Sequence, residues 1–336
     1  MTSQTDVSTA SNLDASYTPR PVPSRPSREV ARIYSSRARV DTTCVLLWAS
    51  AVALEARLRP LGLEVTATVG APCGKHPIWV DLGYVRSGAG EALALNQHEW
   101  WRRTAEAAGS AWGWAAGAWT LGALRAPSQV FAGSAVRVAE QFSLGISHTL
   151  GTYEEILIGI PNVMSSRGRG PYCFVLGMYT NSPVAIWGDR ALRYGYKKQH
   201  SRIDSQTFRS YSARDARGKS LLSAEITEAS TPTWRPAGSV AGLTAQLPLL
   251  SQPLLGHLGG DRFALSLLER DYLEPGHAVA RPSHVRLNVA PALLPELPDA
   301  AAAIVALGPE EPWGAFSVSD LPTRVTYPSH LSLADL

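Results

Sequence analysis

In most of the patterned stretches of the chain, apolar and polar residues alternate with the period of a strand. Leu63-Glu-Val-Thr-Ala-Thr-Val69 alternates, and Pro77 to Val85, Ala135 to Leu144, Leu221 to Thr227, Phe263 to Arg270 and His284 to Val289 read as further strands. Gly151 to Pro161 is an apolar run entered through Glu154-Glu155, which predicts a buried strand with an acidic mouth. Pro171 to Gly188 is a longer apolar run broken by the turn residues Asn181 and Pro183. Helical spacing is clearest over 46–59, where Leu47, Leu54 and Leu58 share a face before Pro60 and Gly62 stop it. Ser165-Ser-Arg-Gly-Arg-Gly170 and Arg214-Asp-Ala-Arg-Gly-Lys-Ser220 read as hairpin turns. The Pro-, Gly- and Leu-rich stretch from Trp234 to Gly256 reads as a connection. Together these elements predict a mainly β (α+β) protein.

Two stretches fall outside that pattern. Residues 1–27 are rich in Ser, Thr, Pro and Asp and bury too little apolar area to offset the entropy of ordering, so a disordered lead is expected there. The remainder, 28–330, is expected to form a single domain. Residues 97–125 hold Trp100, Trp101, Trp112, Trp114 and Trp119 among Ala and Gly, five of the ten tryptophans in the chain, and are expected to form a helical insertion. A lid, an oligomer contact and a membrane-surface helix would each suit it. Small residues between tryptophans favour close packing, and a surface helix would need more Lys and Arg on one face.

Composition narrows the function classes. A chain of 336 residues with 45% hydrophobic and 18% charged residues has the make-up of a globular protein with a real core. Its net charge of +3 and the absence of a basic block argue against a nucleic-acid partner. Cys44, Cys73 and Cys173 are three, far apart, and form neither a zinc spacing nor a disulfide framework, which suits a reducing cytoplasm. No apolar run is long enough to span a membrane, and the polar start does not read as a secretory signal. The eight histidines are scattered without a metal-binding spacing, so no metal is expected.

The chemistry-bearing stretch is Arg190-Ala-Leu-Arg-Tyr-Gly-Tyr-Lys197-Lys198, just after the apolar run. A Lys-Lys pair has two interpretations: a charged strand end in water, or an amine held at the edge of an apolar pocket. A free lysine has a pKa of about 10.4 and is no nucleophile at neutral pH. Burial and a neighbouring cation both disfavour its charged form, which yields an amine able to form a Schiff base with a carbonyl.

Met178-Tyr179, Asn181, Pro183, Gly188, Arg190 and Lys197-Lys198 resemble, in type and order, the motif of the acetoacetate decarboxylase-like superfamily. The resemblance is recognisable over 135–205 and fainter over 28–65 and 220–290. It implies a twisted antiparallel β-barrel with peripheral helices, with Lys197 as the Schiff-base lysine and Lys198 as its cationic neighbour. It also implies that Glu155, from Tyr153-Glu154-Glu155, and Glu140 on the preceding strand are active-site carboxylates. Arg28 would hold the acidic group of the substrate, although it also stands in a basic lead with Arg20, Arg25 and Arg32. Met178 and Tyr179 would line the substrate site. One departure is Tyr196, where the family has proline.

The implied activity is that of a cofactor-free lyase, in which Lys197 forms an iminium with a keto acid and carbon dioxide leaves a β-keto acid. Aldol, dehydration or cyclisation chemistry on the same lysine is the alternative, as is a non-catalytic barrel that binds an apolar ligand. The Trp-rich stretch and Tyr196 argue for a substrate larger than acetoacetate, and superfamily members are commonly homo-oligomers.

Overall fold

A computed structural model describes residues 34–90, 152–228, 234–273, 278–290, 293–294, 305–307 and 315–336. The expected disordered lead, Arg28, the strand carrying Glu140 and the Trp-rich stretch lie outside those residues.

The first element, β1 (Tyr34–Ser50), runs directly into α1 (Ala51–Leu58). Ser50 caps the helix by accepting the Ala53 N–H at 3.4 Å, and Leu54 and Leu58 are its buried face. The helix expected over 46–59 is therefore shorter. Its first five residues are held extended by pairing with the next long strand, Leu47 opposite Ile78 and Ser50 opposite Lys75.

After a short 3-10 turn follow β2 (Leu63–Val65), β3 (Lys75–Gly90), β4 (Tyr153–Ser165) and β5 (Tyr172–Thr180). Then come α2 (Pro183–Leu192), β6 (Lys198–His200), β7 (Arg202–Gln206), β8 (Ser210–Arg214), β9 (Ser220–Glu228) and β10 (Arg235–Pro236). α3 (Ala241–Leu250), β11 (Leu254–Gly259), β12 (Arg262–Ser266) and β13 (Leu268–Arg270) lead to the last four strands. These are β14 (Val279–Val289), β15 (Val305–Leu307), β16 (Ala315–Thr326) and β17 (Ser329–Ser332).

The strands join into one mixed, mostly antiparallel sheet. Followed through its pairings it runs β7-β8-β9-β14-β16-β1-β3-β4-β5-β11-β12-β17, with β5–β6 and β5–β11 parallel. It curls so that β8 comes over β3, where the Tyr211 hydroxyl donates to the Gly83 carbonyl. Among the described residues no ladder joins β7 to β17, so the expected barrel is here a curled sheet whose closure is not seen.

Alternation along the strands divides the core in two. Val45, Leu47, Val80, Leu82, Ile156, Ile158 and Leu176 pack inside the curl against Tyr211, Leu222 and Leu287. Cys44, Leu46, Trp79, Leu157, Val175 and Met178 face the other way, against α3, Tyr194, Tyr196 and Tyr272.

Two helices depart from the expected pattern. At α2, Ser182 accepts the Ala185 N–H at 3.3 Å and Pro183 opens the first turn, a combination that starts a helix rather than the expected turn. At α3 the stretch expected to be a connection is helical despite Pro248, because Leu243, Leu249 and Leu250 are buried against the second core. Among the described residues no helix is long and apolar enough to cross a membrane.

Candidate active site

The segment Tyr194-Gly-Tyr-Lys-Lys198 links α2 to β6 and is anchored by its two buried tyrosines. The Tyr194 hydroxyl donates to the Thr326 carbonyl at 2.9 Å, the Tyr196 hydroxyl meets that of Ser266, and the rings stack with centroids 5.1 Å apart. Tyr196, the departure from the family pattern, thus fixes the backbone ahead of the lysines through its buried ring. Gly195 sits between the tyrosines at φ +72°, and its backbone touches that of Gly256 on β11. A Cβ at Gly256 would fall 1.9 Å from the Tyr194 carbonyl oxygen, and one at Gly195 3.0 Å from the Gly256 carbonyl carbon. The His257 N–H donates to the Gly195 carbonyl at 3.2 Å across this contact.

Burial alternates from there: Tyr194 and Tyr196 in, Lys197 exposed, Lys198 turned in. Lys197 has φ +53°, a left-handed conformation uncommon for a residue with a Cβ. Beyond it the chain enters β6 with Lys198 beside Met178. The Lys198 Nζ donates to Glu155 Oε2 at 2.6 Å, and the two side chains are 11% and 19% exposed. The sequence expectation put Lys197 in this place. The inward lysine is one residue further on because the alternation begun at Tyr194 puts even-numbered positions inside. Lys197 is exposed rather than turned in as a second cation. The partner of the inward amine is a carboxylate.

Two further groups surround the pair. Burial, and next to it the charge of Glu155, push the Tyr153 phenol well above its ordinary range. Asp189, in the last turn of α2, is buried, with the backbone N–H groups of Lys198 and Tyr196 near its carboxylate. Burial raises its pKa, while the Lys198 charge and these N–H groups pull it back. Neither Tyr153 nor Asp189 was expected at the site. Tyr153 carried a signal, since it lies two residues before Glu155 and so on the same face of a strand.

This arrangement sits in a known framework. A solved acetoacetate decarboxylase from Legionella pneumophila subsp. pneumophila str. Philadelphia 1 superposes with a TM-score of 0.51 over 93% of each chain, at 11% sequence identity. The chain has the acetoacetate decarboxylase-like fold. MppR, an enduracididine biosynthesis enzyme solved with pyruvate, matches 92% of this chain and 93% of its own, at 12% identity and a TM-score of 0.48. No protein-family model matches the sequence, and a search of curated proteins finds no similar sequence.

Within the acetoacetate decarboxylase-like fold, the two substrate-lining candidates part company. Met178 is buried on the face that carries Leu157, beside Lys198, whereas Tyr179 packs into the other core and does not line this site. Glu154 also faces away. It receives the Asn181 amide and, at 3.1 Å, the Ser205 hydroxyl, and so secures the β5–α2 turn. Arg28 and Glu140 lie outside the described residues.

The same sheet face holds a buried ion pair absent from the sequence expectation. Arg270 and Asp81, 7% and 4% exposed, bond directly. Asp81 also accepts the Thr42 hydroxyl, and Arg270 donates to the Tyr272 hydroxyl at 3.2 Å and covers the Trp79 ring at 5.2 Å. Through the ladders Asp81, Leu157, Met178 and Lys198 form one row across four strands.

Proposed function

We propose that this protein is a Schiff-base-forming carbon–carbon lyase that decarboxylates a β-keto acid, with Lys198 as the nucleophile. The observation that carries the proposal is the 2.6 Å contact between the Lys198 amine and Glu155. In the proposed reaction Glu155 acts as the general base that accepts the proton Lys198 loses as its lone pair attacks. The amine then adds to the ketone, and loss of water from the carbinolamine leaves an iminium. The bond to the carboxylate breaks, carbon dioxide departs, and the released electron pair neutralises the iminium as an enamine. Glu155, having given its first proton to the departing water, takes up a proton from solvent and delivers it to the enamine carbon. Hydrolysis of the new iminium releases the ketone and restores the amine. The apolar neighbours Met178 and Leu157 strip water from the departing carboxylate.

A panel of β-keto acids of increasing chain length, assayed for carbon dioxide release, tests this. Wild type is expected to release carbon dioxide from at least one member and Lys198→Ala from none. Consumption of the keto acid without carbon dioxide would move the chemistry to aldol or cyclisation. No consumption of any member would favour a binding protein.

A further inference from the structure

The buried pair of Arg270 and Asp81 lies next to the Lys198–Glu155 pair on the same sheet face. Glu155 stands directly opposite Gly83, and Leu157 opposite Asp81, so Glu155 and Asp81 are diagonal neighbours with Cα atoms about 7–8 Å apart. Gly83 is the position between them and carries no side chain. A Cβ there would meet nothing closer than the Glu155 carbonyl oxygen at 3.5 Å and Val40 at 3.6 Å. Around Arg270, donors outnumber acceptors. Arg270 Nε and Trp79 Nε1 are buried and have no hydrogen-bond partner among the described residues. The buried Tyr272 hydroxyl accepts from Arg270 at 3.2 Å, which leaves its own hydrogen without an acceptor among the same residues. The Cys44 thiol beside Trp79 is only a weak sulfur acceptor. An unsatisfied buried donor is costly, so three in one cluster require an oxygen that no side chain here supplies.

We infer that this cluster is a second subsite, in which Arg270, Trp79 and Tyr272 bind a neutral acceptor oxygen, a hydroxyl or a carbonyl, on the distal carbon chain of the substrate. Asp81 already balances the charge of Arg270. A second carboxylate would therefore be buried uncompensated, whereas a neutral oxygen carries no such cost. The side-chain-free strip at Gly83 is where the carbon chain passes from the amine to the cluster. A separation of about 7–8 Å corresponds to roughly five bonds between the ketone carbon and the distal oxygen. That the substrate is a keto acid rests on the lyase reading above. The donor cluster does not.

The test is calorimetric binding of two unreactive probes, 3-hydroxyoctanoate and 3,7-dihydroxyoctanoate, in which an alcohol replaces the ketone so that no Schiff base can form. Wild type is expected to bind the dihydroxy acid about tenfold more tightly, as suits a hydrogen bond to a charged donor. Gly83→Val, which fills the strip, is expected to bring the two probes within about twofold. Tyr272→Phe, which removes one donor, should leave a preference of about threefold. A merely structural Gly83 or Tyr272 would weaken both probes equally and leave the ratio unchanged. Equal binding of the probes to wild type, binding of neither, or an unchanged ratio in either folded variant overturns the inference. If Gly83→Val does not fold, the Tyr272→Phe ratio decides. An ordered water that keeps all three donors in a crystal structure with the dihydroxy acid bound would also overturn it. A preference for the dihydroxy acid without carbon dioxide release from any β-keto acid would remove the lyase reading and keep the subsite. Carbon dioxide release without that preference would do the reverse.

Discussion

Lys198 and Glu155 meet across an intervening strand rather than along one ladder. Glu155 on β4 pairs with Thr180 of β5, and Lys198 on β6 pairs with Met178 of the same strand, so the contact runs diagonally over β5. Only a long side chain reaches that far, and Lys198 does, with its amine 2.6 Å from Glu155 Oε2. The site therefore depends on the register of three strands together.

Glu155→Gln keeps the shape of this contact and removes the proton acceptor. Loss of a general base costs about 10²–10⁴-fold, and the rate of iminium formation with a turned-over keto acid should fall by that much while thermal stability changes little. Iminium formation at the wild-type rate would assign proton transfer to another group.

Gly256→Ala tests how the lysine segment is seated. The added Cβ would lie 1.9 Å from the Tyr194 carbonyl oxygen, so either β11 or the segment has to move. Overpacking of this kind costs about 1–3 kcal/mol, and denaturant melts should show it, with activity lost in the fraction that remains folded. A neutral Gly256→Ala variant would mean that the two backbones are not in contact.

The Arg270–Asp81 pair is buried on both sides. Removing one partner of such a pair costs about 3–5 kcal/mol, because the other charge is left uncompensated. Arg270→Met should therefore unfold at markedly lower denaturant, and Arg270→Met combined with Asp81→Leu should recover most of the loss. If the double variant is as unstable as the single one, packing rather than charge is what Arg270 supplies.

His76 gives the protein a pH-dependent stability. Burial lowers its pKa from the ordinary 6.5, against the opposing hydrogen bonds to the Pro161 and Thr66 backbones. Below pH 6.5 the unfolded chain takes up a proton at this histidine that the folded chain refuses. Its contribution is complete above that pH and declines as pH falls toward the lowered folded value. His76→Asn should flatten the decline in stability that sets in as pH falls below 6.5, and an unchanged slope there would place the titration elsewhere.

Some strands were legible from alternation, as at Leu221–Thr227, and so were the two hairpin turns Ser165–Gly170 and Arg214–Ser220, whereas the alternation of Leu63–Val69 yields a strand only over Leu63–Val65. α2 and α3 were not, because a Ser-Pro start reads equally as a turn and Pro248 reads as a breaker. β16 was not either, because its Ser- and Pro-containing strand is held by pairing with β1, a contact between residues far apart in sequence. The lysine pair and Glu155 could be picked out by residue type and order. Which lysine turns inward could not, since the seating of the segment depends on Gly195 against Gly256, a tertiary contact.

The most direct measurement is borohydride reduction in the presence of a keto acid that the enzyme consumes, with the modified lysine located by peptide mass. The predicted result is a reduced adduct on Lys198, retained in Lys197→Ala and absent in Lys198→Ala. An adduct on Lys197 that survives loss of Lys198 would contradict the assignment drawn from the Lys198–Glu155 contact.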